Sequence, residues 1–105
     1  MSAIQASFEV PADHPCLDGH FPGNPLVPAV VILELAFEAL RASLPRPVAL
    51  RGVAIAKFVR PVRAGERVTV TSATDAAAID ATLDFRCETA AGLAAHGKFL
   101  IGESP

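Results

Sequence analysis

The chain has 105 residues, 51% of them hydrophobic, and a formal net charge of −2; its mean hydropathy is +0.41. That length fits one domain, 1–105, and so apolar a composition in so small a protein implies a homo-oligomer. A membrane span is excluded because Glu34, Glu38 and Arg41 break the longest apolar run short of the roughly 18 residues required, and an acidic chain without aromatics among its basic residues argues against nucleic acid.

The first ten residues have neither a basic start nor an apolar core, so no secretory signal is predicted and the cytoplasm is the expected compartment. Cys16 and Cys87 are then free thiols rather than a disulfide. A first strand is predicted over 3–10. It is followed by Gly19-His20-Phe21-Pro22-Gly23-Asn24-Pro25, in which a single ionisable base sits in a rigid proline and glycine frame. Rigid framing suits a general base. A histidine beside a turn is nonetheless more often structural.

Residues 28–44 contain no internal glycine or proline and are apolar on nearly every face, which predicts a buried helix wrapped by other structure. Pro28 suits its first turn, since its missing N–H would have had no intrahelical partner. Val27 before it has no side-chain oxygen for capping, so the amides of Ala29 and Val30 are left open to a ligand and favour developing negative charge. Glu34 lies fourteen positions after His20. With Glu38 and Arg41 it shares one helical face, which also fits a plain solvated stripe.

Beyond the helix the chain reads as strands: a long, bent one over 49–62, a short one over 67–72, and two longer ones. Ile79, Ala81, Leu83, Phe85 and Cys87 alternate with polar residues, and Leu93, Ala95, Gly97, Phe99 and Ile101 alternate with Ala94, His96, Lys98 and Leu100. Thr89-Ala90-Ala91-Gly92 between them reads as a hairpin connection. His96 is expected to point outward into solvent. One helix and about five hairpin-connected strands predict an α+β domain, an antiparallel sheet curled around a helix.

The run from Gly19 to Pro25, then Leu26-Val27-Pro28 and Glu34, resembles the signature of the beta-hydroxyacyl-[acyl-carrier-protein] dehydratases, which have the hotdog fold. Residues 57–66, Lys57-Phe58-Val59-Arg60-Pro61-Val62-Arg63-Ala64-Gly65-Glu66, resemble that family's second recurring stretch. The resemblance implies a five-stranded antiparallel sheet around one central helix and a dehydratase giving trans-2-enoyl-[acyl-carrier-protein] in fatty-acid or related polyene or polyketide synthesis. Its substrate would ride on the phosphopantetheine of an acyl carrier protein, with no metal or other cofactor. His20 and Glu34 would be catalytic, and Phe21, Gly23, Pro28, Ala29 and Val30 would line the substrate. The family takes the histidine from one protomer and the acid from its dimer mate.

Dehydration of a beta-hydroxyacyl thioester needs a base for the α proton, an acid for the departing hydroxyl and a stabiliser for the carbonyl. His20, with an unperturbed pKa of roughly 6.5, can be the base. Glu34 serves as the acid where burial favours its neutral form. The amide of Ala29 or Val30 would hold the thioester oxygen. Residues 41–67 hold Arg41, Arg46, Arg51, Lys57, Arg60, Arg63 and Arg67 against the single acid Glu66, a balance of +6. Lys57, Arg60 and Arg63 are therefore candidates for docking an acidic carrier protein, set against their being ordinary solvated positions.

Where the family usually has glycine and glutamine, this chain has Ala29 and Glu38, and it has no tyrosine. A non-catalytic hotdog subunit that binds carrier protein, or a hotdog thioesterase with Glu34 activating water, are the alternatives. His14, Cys16, Asp18 and His20 match no usual zinc spacing, and a Cys16 nucleophile with His20 is weak. Phe21 and Phe37 are core or acyl-tunnel walls.

Overall fold

The computed structural model describes residues 4–10, 27–44, 47–74 and 81–103. Its elements run β1 (Ile4–Glu9), α1 (Ala29–Ala42), β2 (Val48–Phe58), β3 (Arg67–Ser72), β4 (Thr82–Thr89) and β5 (Gly92–Glu103). The strands form one antiparallel sheet in the order β1-β3-β4-β5-β2, and α1 packs on one face, chiefly over β1 and β3. This is the α+β hotdog arrangement that the element pattern and the resemblance predict.

The helix-side face follows from the period-two alternation. Val68 and Val70 of β3, Leu83, Phe85 and Cys87 of β4, and Ala95, Phe99 and Ile101 of β5 are buried. Phe99 is the hub: its ring stacks on Phe85 at 4.4 Å and meets Phe37 of α1 edge-on at 5.4 Å. Burying side chains of this size contributes about 1.5–3 kcal/mol each. Burial also pushes the Cys87 thiol up to about 12, so Cys87 is a core residue with little nucleophilic character.

The β4–β5 connection is the predicted hairpin. Thr89 pairs with Gly92 across Ala90 and Ala91, and Gly92 has φ +116°, a conformation that favours glycine. β4 begins at Thr82, later than the alternation suggests; Ile79 lies outside the described residues. At its start Asp84 accepts hydrogen bonds from the hydroxyls of Ser72 and Thr74 and from the amides of Ala73 and Thr74. Burial alone would raise the Asp84 carboxyl, but those four donors together outweigh it and hold it below its ordinary value of 3.8.

β2 is shorter than predicted. It stops at Phe58 because the amides of Val59 and Arg60 both turn to the carbonyl of Ala94, and Pro61 has no N–H to continue a ladder. Its register shifts between Leu50 and Gly52 and again between Val53 and Ile55. At the second shift the strand crosses Gly97 so closely that a Cβ there would lie 2.1 Å from the Ile55 carbonyl oxygen.

Two expectations require correction. Within one chain α1 is not buried all round: Ile32, Ala36, Phe37 and Leu40 are buried, whereas Val30 is 60% exposed and Glu34, Glu38 and Arg41 are exposed. A sheet lying on one side covers only one stripe of a helix, so the remaining apolar surface faces away from the sheet. His96 is half-buried rather than exposed. It stands in a cross-strand row between Lys57 of β2 and Arg86 of β4, where neighbouring long side chains shield part of the imidazole.

Candidate active site

The helix start is the first component. Pro28 is the N-cap, with φ −58° and ψ 147°, so the helix begins at Ala29, one residue later than predicted. The extended ψ points its carbonyl to accept from the amides of Val31 at 3.0 Å and Ile32 at 3.2 Å. No side chain caps this end, and among the described residues the amides of Ala29 and Val30 have no acceptor. The predicted pair of free donors is therefore present at the positive end of the helix dipole.

The segment after β2 frames these amides. Val27 donates from its backbone to the Val62 carbonyl at 2.8 Å, pinning the helix start to the stretch that follows Phe58. Between them lies a cavity of about 230 Å³ lined by Val27, Ala29, Ile32, Phe58, Arg60 and Val62 among others. Its apolar walls suit an acyl group, and it brings the two sequence stretches that carry the family resemblance against one another.

Glu34 is the second component. Five residues beyond Ala29 it sits roughly 7.5 Å along the axis at 1.5 Å per residue, on the exposed stripe with Val30 and Glu38. It lines a second cavity, of about 340 Å³, with Phe37, Glu38, Arg41, Val48 and Leu50. Glu34 is exposed in the single chain, so the burial that would favour its neutral form is not supplied by this chain alone. Phe37 is both core and cavity wall. Arg41 closes on Glu38 at 2.7 Å, an ion pair that their spacing of three allowed but did not require.

A third depression, of about 590 Å³, lies on the outer sheet surface among Gln5, Arg67, Thr69, Thr71 and Glu88. It is larger, but its lining holds none of the predicted site residues, and its carboxylates are engaged, Glu88 by Arg86 and Glu66 by the amide of Arg63.

Of the other predicted site residues, His20, Phe21 and Gly23 lie outside the described residues, as do His14, Cys16 and Asp18. Lys57, Arg60 and Arg63 are exposed. Among the described residues, three other cations of the basic segment are engaged by neighbours. Arg41 pairs with Glu38, Arg67 pairs with Glu9 at 3.3 Å, and Arg51 donates to the Glu103 carbonyl at 3.0 Å. Sequence reasoning missed the apolar character of the β2 edge, where Leu50, Val53, Ile55 and Phe58 are each at least 41% exposed. Gly52 within the strand pattern was the available signal that β2 is irregular. Among the described residues no helix is long and apolar enough to cross a membrane.

Over 73 residues the chain is 34% identical to the 3-hydroxyacyl-[acyl-carrier-protein] dehydratase FabZ of Haemophilus influenzae strain PittEE, covering 62% of this chain and 49% of that protein. The FabZ of Chloroflexus aggregans is 44% identical over 64 residues, 54% of this chain and 44% of that one. The chain thus spans about half the length of the curated relatives it matches. Among solved structures, the dehydratase heterocomplex ApeI:P from Xenorhabdus doucetiae superposes with a TM-score of 0.75 at 20% identity, covering 94% of this chain and 86% of that one. A 1,4-dihydroxy-2-naphthoyl-CoA thioesterase from Synechocystis gives 0.66 at 18% identity, with 99% and 85% covered; these two likenesses establish the fold. The ApeI-like family, described as ApeI dehydratase, matches residues 1–98, and the chain belongs to that family of hotdog dehydratases.

Proposed function

We propose that this chain dehydrates beta-hydroxyacyl thioesters carried on the phosphopantetheine of an acyl carrier protein, giving the trans-2-enoyl thioester in fatty-acid or related polyene or polyketide synthesis. The observation that carries this reading is the uncapped pair of amides at Ala29 and Val30 beside an apolar cavity, with a carboxylate farther along the same exposed helix stripe. The thioester oxygen accepts from those amides. His20 takes the α proton, and the electron pair moves onto the thioester oxygen as an enolate, which the helix N-terminus stabilises. Collapse of the enolate forms the Cα–Cβ double bond and breaks the Cβ–O bond. The departing oxygen takes a proton from Glu34 and leaves as water. No metal or redox cofactor is needed for that balance.

The acid and base come from different protomers in this reading. A second hotdog protomer placed along the β2 edge would cover Val30, Leu50, Val53 and Phe58 and enclose Glu34, supplying the desolvation that one chain lacks. That protomer is a second copy of this chain, and the heteromeric nature of ApeI:P makes a different hotdog chain the competing choice. Lys57, Arg60 and Arg63 would steer the acidic carrier to the mouth.

The test is turnover of a beta-hydroxyacyl-carrier substrate followed by enoyl absorbance. Enoyl product is expected; free acid without it would replace dehydration with hydrolysis, and carrier binding without turnover would leave a non-catalytic subunit. His20→Ala and Glu34→Ala should each lower turnover by at least about 100-fold, the usual scale for an acid–base group. Mixing the two variants should restore part of it, and mixed dimers that stay inactive would refute the shared site.

A further inference from the structure

Two carboxylates line the cavity below the helix start, one turn apart on one face. Glu34 has no hydrogen bond or ion pair among the described residues, whereas Glu38 accepts from the Arg41 guanidinium at 2.7 Å. The β2 wall opposite them, Val48, Ala49 and Leu50, brings no charge. The nearest β2 cation in sequence, Arg51, is turned to the Glu103 carbonyl. Glu34, Glu38 and Arg41 are thus the charged groups of this cavity among the described residues.

Two carboxylates at that spacing repel when both are ionised, and once a partner protomer buries them the repulsion falls on both alike, so neither is the defined donor. A cation placed on one member separates them, and such separation is how a pair of similar groups is divided into an acid and a spectator. We propose that Arg41 is a positioning residue that takes Glu38 as its ion-pair partner and so leaves Glu34 as the unpaired carboxyl of the site, the one that exchanges a proton with substrate. This rests on the dehydratase reading for its catalytic consequence, but not for its electrostatic one. Arg41 donates no proton to the substrate; it acts through Glu38.

The sign of each perturbation is defined. Removing the guanidinium in Arg41→Gln leaves an anion one turn from Glu34, which favours the protonated form of Glu34 and moves the high-pH limb of turnover upward. Removing the carboxylate in Glu38→Gln leaves an unpaired cation, which favours ionised Glu34 and moves that limb downward. The double variant restores neutrality and should return it close to the wild-type position. Shifts of about half a pH unit match the strength of partly exposed pairs, and both positions tolerate the change because the side chains are exposed.

The experiment pairs the pH dependence of enoyl formation with carboxyl carbon-13 titration of Glu34 and Glu38 in the full chain without substrate. Opposite displacements of the Glu34 curve in Arg41→Gln and Glu38→Gln, cancelling in the double variant, are the expected result. Superimposable Glu34 curves in wild type and Arg41→Gln would overturn the proposal. If the titrations move as expected while no variant or wild-type protein forms enoyl product, the dehydratase reading fails and the electrostatic role of Arg41 stands.

Discussion

Asp84 shows how much one residue can organise. Its carboxylate gathers two hydroxyls and two amides at the end of β3 and the start of β4, and its folded-state titration is held below the ordinary 3.8. A depressed folded value contributes stability that is present above the unfolded value and lost as pH falls through the folded one. Asp84→Ala should therefore destabilise by about 1–3 kcal/mol at neutral pH, the usual cost of stranding buried donors. In denaturant titrations the gap between the two proteins should shrink as pH falls below 3.8; a gap of constant size down to acid pH would mean the ionised form carries no such weight. Nothing in the alternation around Asp84 marks this role, because a strand pattern records only that the position is polar. Glu34 is the opposite case: its place on a helix face, and the solvated stripe it forms there with Glu38 and Arg41, were both open to reading from spacing.

The elements themselves were largely readable. β3 matches its prediction at both ends, and the β4–β5 connection is a hairpin as its glycine suggested, Gly92 supplying the positive φ of the turn. The helix start shifted by one residue, since the ψ of Pro28 is extended and makes it a cap instead of a first helical residue. β2 departed furthest, for a reason that involves another strand. Its bulge brings the Ile55 carbonyl over Gly97, leaving no volume for a methyl group. Gly97→Ala should cost about 1–3 kcal/mol, the scale for overpacking a filled interior, read as a lower midpoint in thermal or denaturant unfolding. An unchanged midpoint would show that β2 can move away from β5 freely. Because Phe58 lines the cavity beside the helix start, the same shift in β2 would also disturb that cavity's wall.

At the scale of the whole molecule, the distribution of apolar surface is the unresolved demand of the single chain. β2 is a sheet edge eleven residues long, with Val53 41% and Ile55 49% exposed. Val30 of the helix is 60% exposed. An uncovered apolar edge of this length invites pairing with another chain. Replacing Val53 and Ile55 together by lysine should leave the fold intact, because both are surface positions in one chain, and should convert an oligomer to single chains in sedimentation or light scattering. Retention of the oligomer would place the interface elsewhere.

The sequence by itself determined the local pattern: a helix of defined position, strands with a buried period-two face, a proline and glycine frame around His20, and a family signature specific enough to name a reaction class. Those features depend on neighbours along the chain, through dihedral restriction, side-chain spacing and the missing N–H of proline. Tertiary structure decided which helix stripe the sheet covers, which cations are consumed by Glu9, Glu38 and the Glu103 carbonyl, and where β2 bends over Gly97. These depend on contacts between residues distant in the chain, which pairing and packing bring together and which no local period encodes.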